Sequence, residues 1–191
     1  MKIATWNVNS LTARLQHVLD WLAVNPVDVL ALQELKLTDD KFPHEALRAA
    51  GYEAAVFGQK TYNGVALLTR APLQASDVAR NIAGLADDNA RLIAATLDAP
   101  GGPLRLVNGY FVNGQAPGTD KFDYKMSWLR ALREHLRASQ DDGSHHRRRI
   151  GLRLAMRHPA LADENINSRA GNDSRAKHGV QRRHVAERQK P

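Results

Sequence analysis

Three polar residues stand immediately beyond apolar runs in this 191-residue chain: Asn7 after 3–6, Glu34 after 29–33 and Tyr110 after 104–108. An amide, a carboxylate and a phenol are hard oxygen and nitrogen groups, suited to a divalent cation and to phosphate rather than to thiol or redox chemistry. Where sheets are covered by helices, ligand sites gather beyond strand ends, which is where all three fall. A lone carboxylate there serves either a cation or a hydrogen-bonded structural role, because burying it unpaired is costly. Oxygen ligation with few protein ligands suits Mg²⁺, which binds through one or two carboxylates plus water and substrate phosphate. Two plainer readings stay open: Asn7 as a turn-forming Asx residue, and Tyr110 as a half-buried aromatic whose hydroxyl reaches water. The chain has no Cys. That excludes disulfide scaffolds, thiolate nucleophiles and Cys-ligated zinc together.

The elements that must position these residues are legible in the apolar periodicity. Residues 2–8 read as an opening strand. Ser10 caps a helix whose Leu11, Leu15, Val18, Leu19 and Leu22 recur at spacings of three and four, and Asn25-Pro26 stops it. Residues 27–33 are a buried strand, and 44–50 a short helix before Gly51. Four more strands are predicted at 52–57, 64–69, 91–97 and 104–110, separated by Gly, Pro, Asn and Asp, and a last helix at 121–138. Consecutive strands in the middle favour an α/β fold with a mixed sheet covered by helices over a strictly alternating barrel.

Charge divides the chain unevenly. Residues 1–140 carry 15 Lys plus Arg and 14 Asp plus Glu, whereas 141–191 carry 12 and 6, so +6 of the net +7 lies in the tail. All eleven aromatics lie before residue 129. With few large apolar side chains to offset backbone ordering, 141–191 is expected to be an irregular, disordered basic tail after a domain at 1–140. Its five histidines, His145, His146, His158, His178 and His184, are scattered among Arg and read as titratable surface residues. No apolar run reaches the roughly 18 residues of a membrane span, and the start has no secretory apolar region, so a cytoplasmic location is expected. Nothing calls for an obligate protein partner.

Several runs, in order, carry more information than any single residue. They are Ala4-Thr5-Trp6-Asn7-Val8-Asn9-Ser10, Leu32-Gln33-Glu34-Leu35-Lys36, Gly58-Gln59-Lys60-Thr61-Tyr62-Asn63-Gly64-Val65-Ala66, Asn108-Gly109-Tyr110 and Lys121-Phe122-Asp123-Tyr124-Lys125. Over residues 1–138 the chain closely resembles the exonuclease III type of the endonuclease/exonuclease/phosphatase superfamily. The run from Gly58 to Ala66 points to this nuclease branch rather than to lipid and inositol phosphatases. The resemblance implies the N-terminal half of a two-sheet, DNase I-like α/β sandwich. It further implies Mg²⁺, with Mn²⁺ able to replace it, held at Glu34 with Asn7, and a catalytic Tyr110 whose hydroxyl reaches the scissile phosphate. Lys60, Tyr62, Asn63 and Arg91 would contact duplex DNA, the partner being double-stranded DNA with abasic sites or 3′ ends.

Members of this family continue with an apolar strand ending in Gly-Asp-x-Asn, which supplies a water-activating aspartate, and finish with Ser-Asp-His. This chain has neither motif. Asp163-Glu164-Asn165-Ile166 keeps the Asp-x-Asn spacing, but Ala162 replaces the Gly and Arg157-His158-Pro159 interrupts the apolar run. Two expectations follow. The chain would hold only the first of two sheets and leave an inner apolar face exposed. The tail would be an out-of-frame translation from a shift or truncation near residues 139–144, making the chain an inactive fragment of such a nuclease. An alternative reading frame encoding an apolar strand and Gly-Asp-x-Asn is the expected result of sequencing the DNA, and its absence would refute the frameshift.

Overall fold

The computed structural model describes residues 1–141 and 149–155, with 140, 141 and 149–155 described by backbone alone. All of them fall within one compact unit, Met1–Arg157. The Asp163 to Ile166 run and the five tail histidines lie outside the described residues.

Strand β1 (Ile3–Asn7) and strand β2 (Val29–Gln33) pair in parallel, and the helix between them, α1 (Leu11–Val24), forms the crossover. The Ser10 hydroxyl accepts a hydrogen bond from the Ala13 N–H at 3.4 Å at its start, and Leu11, Val18 and Leu22 form its buried stripe. Helix α2 (His44–Ala49) leads to β3 (Tyr52–Phe57) and β4 (Val65–Arg70), completing a first sheet in the order β1-β2-β4-β3. A second sheet follows in the order β5-β6-β7-β8, from β5 (Ala75–Arg80), β6 (Leu92–Ala99), β7 (Gly102–Tyr110) and β8 (Arg149–Ala155). Helix α3 (Asp120–Asp141) lies between β7 and β8 in the chain.

The lone sheet anticipated from the sequence is corrected here: the described residues form two sheets stacked face to face. Val29, Ala31, Val65 and Leu67 of the first bury against Ile93, Ala95, Leu97 and Leu106 of the second. The error came from assigning β6 and β7 to the same sheet as β4. The intervening β5 was missed because it is an edge strand with a polar, largely exposed sequence and a register shift between Ser76 and Ala79. Helices α1 and α2 cover the outer face of the first sheet, where Leu30, Leu32, Ala66 and Leu68 meet Leu11, Val18, Leu22 and Leu47. Helix α3 covers the second, with Trp128 and Leu132 against Leu92, Ala94 and Val107. Each large side chain buried in the inner layer contributes about 1.5–3 kcal/mol.

Strand β8 lies beyond Gln140, where the sequence suggests an irregular tail, and pairs in parallel with β7 from Leu104↔Arg149 to Tyr110↔Ala155. Ile150, Leu152 and Leu154 alternate with Arg149, Gly151 and Arg153 there, a period-two signal hidden by the Arg-rich composition of the whole tail. No helix among the described residues is long and apolar enough to cross a membrane.

One polar pair crosses the inner layer. Gln33 and Asn108, both fully buried, meet through a 2.6 Å hydrogen bond from Gln33 Nε2 to Asn108 Oδ1. Asn108 Nδ2 donates back to the Leu32 and Ala66 carbonyls at 2.8 and 2.9 Å. Replacing Asn108 with Val removes all three bonds and keeps a strand-forming shape. The expected result is a loss of about 2 kcal/mol in urea unfolding. A loss under about 0.5 kcal/mol, within the range of surface substitutions, would show that the bridge carries no weight.

Candidate active site

The chain leaves β1 and β2 at the same end, since the two are parallel. Beyond that end 34–36 is held between two other segments. Val8 N–H donates to Gln33 O at 3.0 Å, Ser10 N–H to Glu34 O at 2.8 Å and Leu11 N–H to Leu35 O at 3.0 Å. From the other side Leu35 N–H reaches Gly64 O and Lys36 N–H reaches Asn63 O, at 3.2 and 3.0 Å. In these segments Asn9, Ser10, Glu34, Lys36, Thr61 and Asn63 lie in the left-handed backbone region, with φ between 45 and 90°. Such conformations cost on the order of 1–3 kcal/mol each and persist where the surroundings enforce them, characteristically at functional sites. Gly64 is required: its φ is +89° and a Cβ would stand 2.8 Å from Leu35 Cβ.

The result is a buried carboxylate with a defined orientation. Glu34 is 2% exposed. Asn7 Nδ2 donates to Glu34 Oε1 at 2.8 Å, and the Lys36 ammonium stands 3.5 Å from Oε2. Lys36 also donates to Asn9 Oδ1 at 2.5 Å, and Asn9 N–H to Asn7 Oδ1 at 3.1 Å. Asn7, Asn9, Glu34 and Lys36 are thus one closed group. Asn9 and Lys36 carry no predicted role in the sequence reading. Their signal was position alone, two residues beyond Asn7 and Glu34.

The second group lies where β6 begins and β7 ends. Tyr110 N–H donates to Arg91 O at 2.7 Å, and the Arg91 guanidinium carbon stands 5.2 Å from the centre of the Tyr110 ring and 6.0 Å from that of Tyr124. Tyr124 donates to Asp87 Oδ2 at 2.5 Å, and Asp87 Oδ1 accepts from the Asn89 backbone and amide at 3.0 and 2.7 Å. Burial opposes ionisation of Asp87, but the Tyr124 hydroxyl, Asn89 and the Arg91 charge outweigh it and hold the carboxyl below its ordinary value. Burial first, then the bond to Asp87 and its charge, raise the Tyr124 phenol. Asp87, Asn89 and Tyr124 carry no predicted role in the sequence because their role is set by one another, across 37 residues.

The loop 58–64 joins the two groups. Gly64 N–H donates to Ala90 O at 2.9 Å. Gln59 Oε1 accepts from Ala90 N–H and from Asn63 Nδ2, both at 2.9 Å, and Asn63 Nδ2 also reaches Asn89 Oδ1 at 3.1 Å. Asn63 is 6% exposed, with its amide nitrogen turned into this network. Lys60 and Tyr62 face solvent, Tyr62 at 69%. The structure therefore brings Asn7 to Glu34 and Arg91 to Tyr110, presents Lys60 and Tyr62 at the surface, and engages Asn63 in shaping the loop.

Two stacked sheets flanked by helices thus carry, at the ends of their strands, a buried glutamate bonded to Asn7 and an arginine beside Tyr110. The chain belongs to the Endonuclease/Exonuclease/phosphatase family, whose model matches residues 4–168. It is 35% identical to the exodeoxyribonuclease III of Haemophilus influenzae, over 74% of this chain and 53% of that protein. A 3′ phosphatase from Neisseria, solved bound to a product DNA hairpin, matches at 47% identity with a TM-score of 0.69, over 74% of this chain and 53% of its own. An AP endonuclease from Archaeoglobus fulgidus matches at 35% identity and a TM-score of 0.67, over 74% and 52%. The chain spans about half the length of the curated relatives it matches.

The pKa directions fix a pH signature for the second group. Asp87, lowered from 3.8, contributes stability that is present above that value and lost as pH falls through its folded pKa. Tyr124, raised from 10.0, contributes stability that is present below that value and lost as pH rises through its folded pKa. Urea unfolding of Asp87→Asn should lose the part of the acid limb below about pH 4, and Tyr124→Phe the part of the alkaline limb above about pH 10. Profiles parallel to wild type in both variants would contradict these assignments.

Proposed function

We infer that the chain is a DNA repair nuclease of the exonuclease III type, hydrolysing phosphodiesters of duplex DNA at abasic sites and 3′ ends in the cytoplasm. The observation that carries this reading is the Asn7–Glu34 pair and the Arg91–Tyr110 pair at strand ends, joined through the loop 58–64, in a chain whose relatives are named an exodeoxyribonuclease, a 3′ phosphatase and an AP endonuclease.

The residues fit a hard divalent cation. One carboxylate with open positions for water and phosphate is the donor set Mg²⁺ takes, with Mn²⁺ able to replace it. Glu34 would hold the ion, and Asn7 would act through Glu34, since its Nδ2 grips the carboxylate and its Oδ1 accepts from Asn9. When bound, the ion supplies Lewis-acid stabilisation of charge on the phosphoryl oxygens. The chain's own residues do the rest. Arg91 meets phosphate charge, the Tyr110 hydroxyl hydrogen-bonds a phosphoryl oxygen, and Lys60 and Tyr62 contact the DNA backbone.

A second reading, a catalytically inactive fragment, is favoured by the missing Gly-Asp-x-Asn and Ser-Asp-His motifs. Positioning without a water-activating base costs about 10² to 10⁴ in rate. Incision of an abasic-site duplex by the full chain in Mg²⁺ separates the two. The nuclease reading expects cleavage that chelation abolishes and that Glu34→Ala lowers by about 10³-fold, the worth of several kcal/mol of charge stabilisation. Mg²⁺-promoted duplex binding without cleavage would establish the inactive fragment instead.

A further inference from the structure

Arg91 is an unusual cation for its position. Among the described residues it has no carboxylate within ion-pair distance, although Asp87 is near enough for the two charges to interact. Its Nε is buried without a hydrogen-bond partner. The Asp87 carboxylate is occupied instead by the Tyr124 hydroxyl and by two donors of Asn89. The guanidinium is left between two aromatic rings, at 5.2 and 6.0 Å from their centres. The Arg91 side chain also hydrogen-bonds the Tyr124 hydroxyl, so the same phenol links the guanidinium to the Asp87 carboxylate without a direct ion pair between the two.

We propose that Asp87 and Tyr124 are positioning residues: their hydrogen bond sets the Tyr124 hydroxyl and ring, Tyr124 and Tyr110 together hold the Arg91 side chain, and the guanidinium is thereby oriented for a nucleic-acid phosphate. Tyr124 sits on the first turns of α3, whose Trp128 and Leu132 are anchored in the core beneath β6 and β7. The clamp therefore has one jaw on a helix and one at a strand end. Asn89 extends the hold to the loop 58–64, because its Oδ1 accepts from Asn63 Nδ2. Arg91 orientation and loop shape are then set by one connected network. This rests on the reading of the site as a DNA-phosphate site.

The test is fluorescence anisotropy of a labelled abasic-site duplex with the full chain over a range of salt concentrations. It compares wild type, Tyr124→Phe, Asp87→Asn, Arg91→Ala and the double variant Tyr124→Phe/Arg91→Ala, each with its thermal transition recorded. Arg91→Ala should weaken binding about tenfold and lower the salt slope by about one, as for one lost phosphate contact. Tyr124→Phe and Asp87→Asn should each weaken binding about three- to tenfold with the same change in slope, and the double variant should bind no worse than Arg91→Ala. A merely structural role would lower the melting temperature and leave the slope unchanged. If Arg91→Ala loses affinity while both Tyr124→Phe and Asp87→Asn keep wild-type affinity and slope, the positioning proposal is overturned and the DNA reading stands. If wild type fails to bind, or Arg91→Ala binds as wild type does, the phosphate reading itself fails and the proposal falls with it. Should Tyr124→Phe not fold, Asp87→Asn carries the same comparison.

Discussion

The hydrogen bond between Gln33 and Asn108 is the constraint from which the site follows. Two β-sheets packed through Val, Leu, Ile and Ala can slide and rotate at small cost, because apolar contact is non-directional. A buried amide pair cannot slide. Displacing the sheets would leave Gln33 and Asn108 with unmatched donors in an apolar layer, at a cost of about 1–3 kcal/mol per group. The pair stands at the last residue of β2 and two residues before the end of β7. Glu34 and Tyr110 are therefore the first groups beyond a locked joint. Relative placement of the Glu34 carboxylate and the Tyr110 phenol is thus tied to two side chains that belong to neither group.

The backbone beyond the joint completes the arrangement. A strand end in ordinary extended conformation would alternate side chains and turn Glu34 to the opposite face from Gln33. Glu34 and Lys36 leave that extended conformation with a left-handed φ, and flanking segments on both sides hold the stretch with five backbone hydrogen bonds. The same device recurs at Asn9 and Ser10, and at Thr61 and Asn63. Six residues that would relax to commoner conformations in isolation are held out of them here. The stability that offsets this strain comes from the three apolar layers, so the site depends on the completeness of a core it barely touches.

Much of this was legible in the sequence, and the limit has a physical form. Helix α1 with its Ser10 cap, the buried strand β2, and the strands β3, β4, β6 and β7 each announce themselves through local periodicity. Glu34, Asn7, Tyr110 and Arg91 stand out by position and by the order of motifs around them. What escaped was pairing. The assignment of β6 and β7 to a second sheet depends on which face of Val29, Ala31 and Leu67 finds a partner, and β5, an exposed edge strand, offered no pattern to signal the break. Gln33 and Asn108 are visible as polar interruptions of apolar strands, but 75 residues separate them and only the fold shows that they meet. Asn63 looks like a surface amide within a Gly-flanked loop, and the structure instead engages its amide with Gln59 and Asn89. Strand β8 was hidden by averaging, since a period-two run of seven residues disappears in the composition of 51.

Net charge is a poor guide to where this chain would meet an anion. Most of the +7 belongs to residues 141–191, and residues 1–140 sum to +1. Charges separated by more than about 10 Å of salt solution are largely screened, so what matters at the site is how each nearby cation is compensated. Lys36 is matched by the Glu34 carboxylate and the Asn9 oxygen, and a cation bound at Glu34 would compete with it for the same charge. Arg91 is stabilised by aromatic faces, and its negative neighbour is taken up by a phenol and an amide. An ammonium, more strongly hydrated and without a planar face, would not be held in this way. The choice of arginine at position 91 and of Tyr-Asp behind it thus solves one problem: keeping a positive charge half-buried and oriented without a direct ion pair.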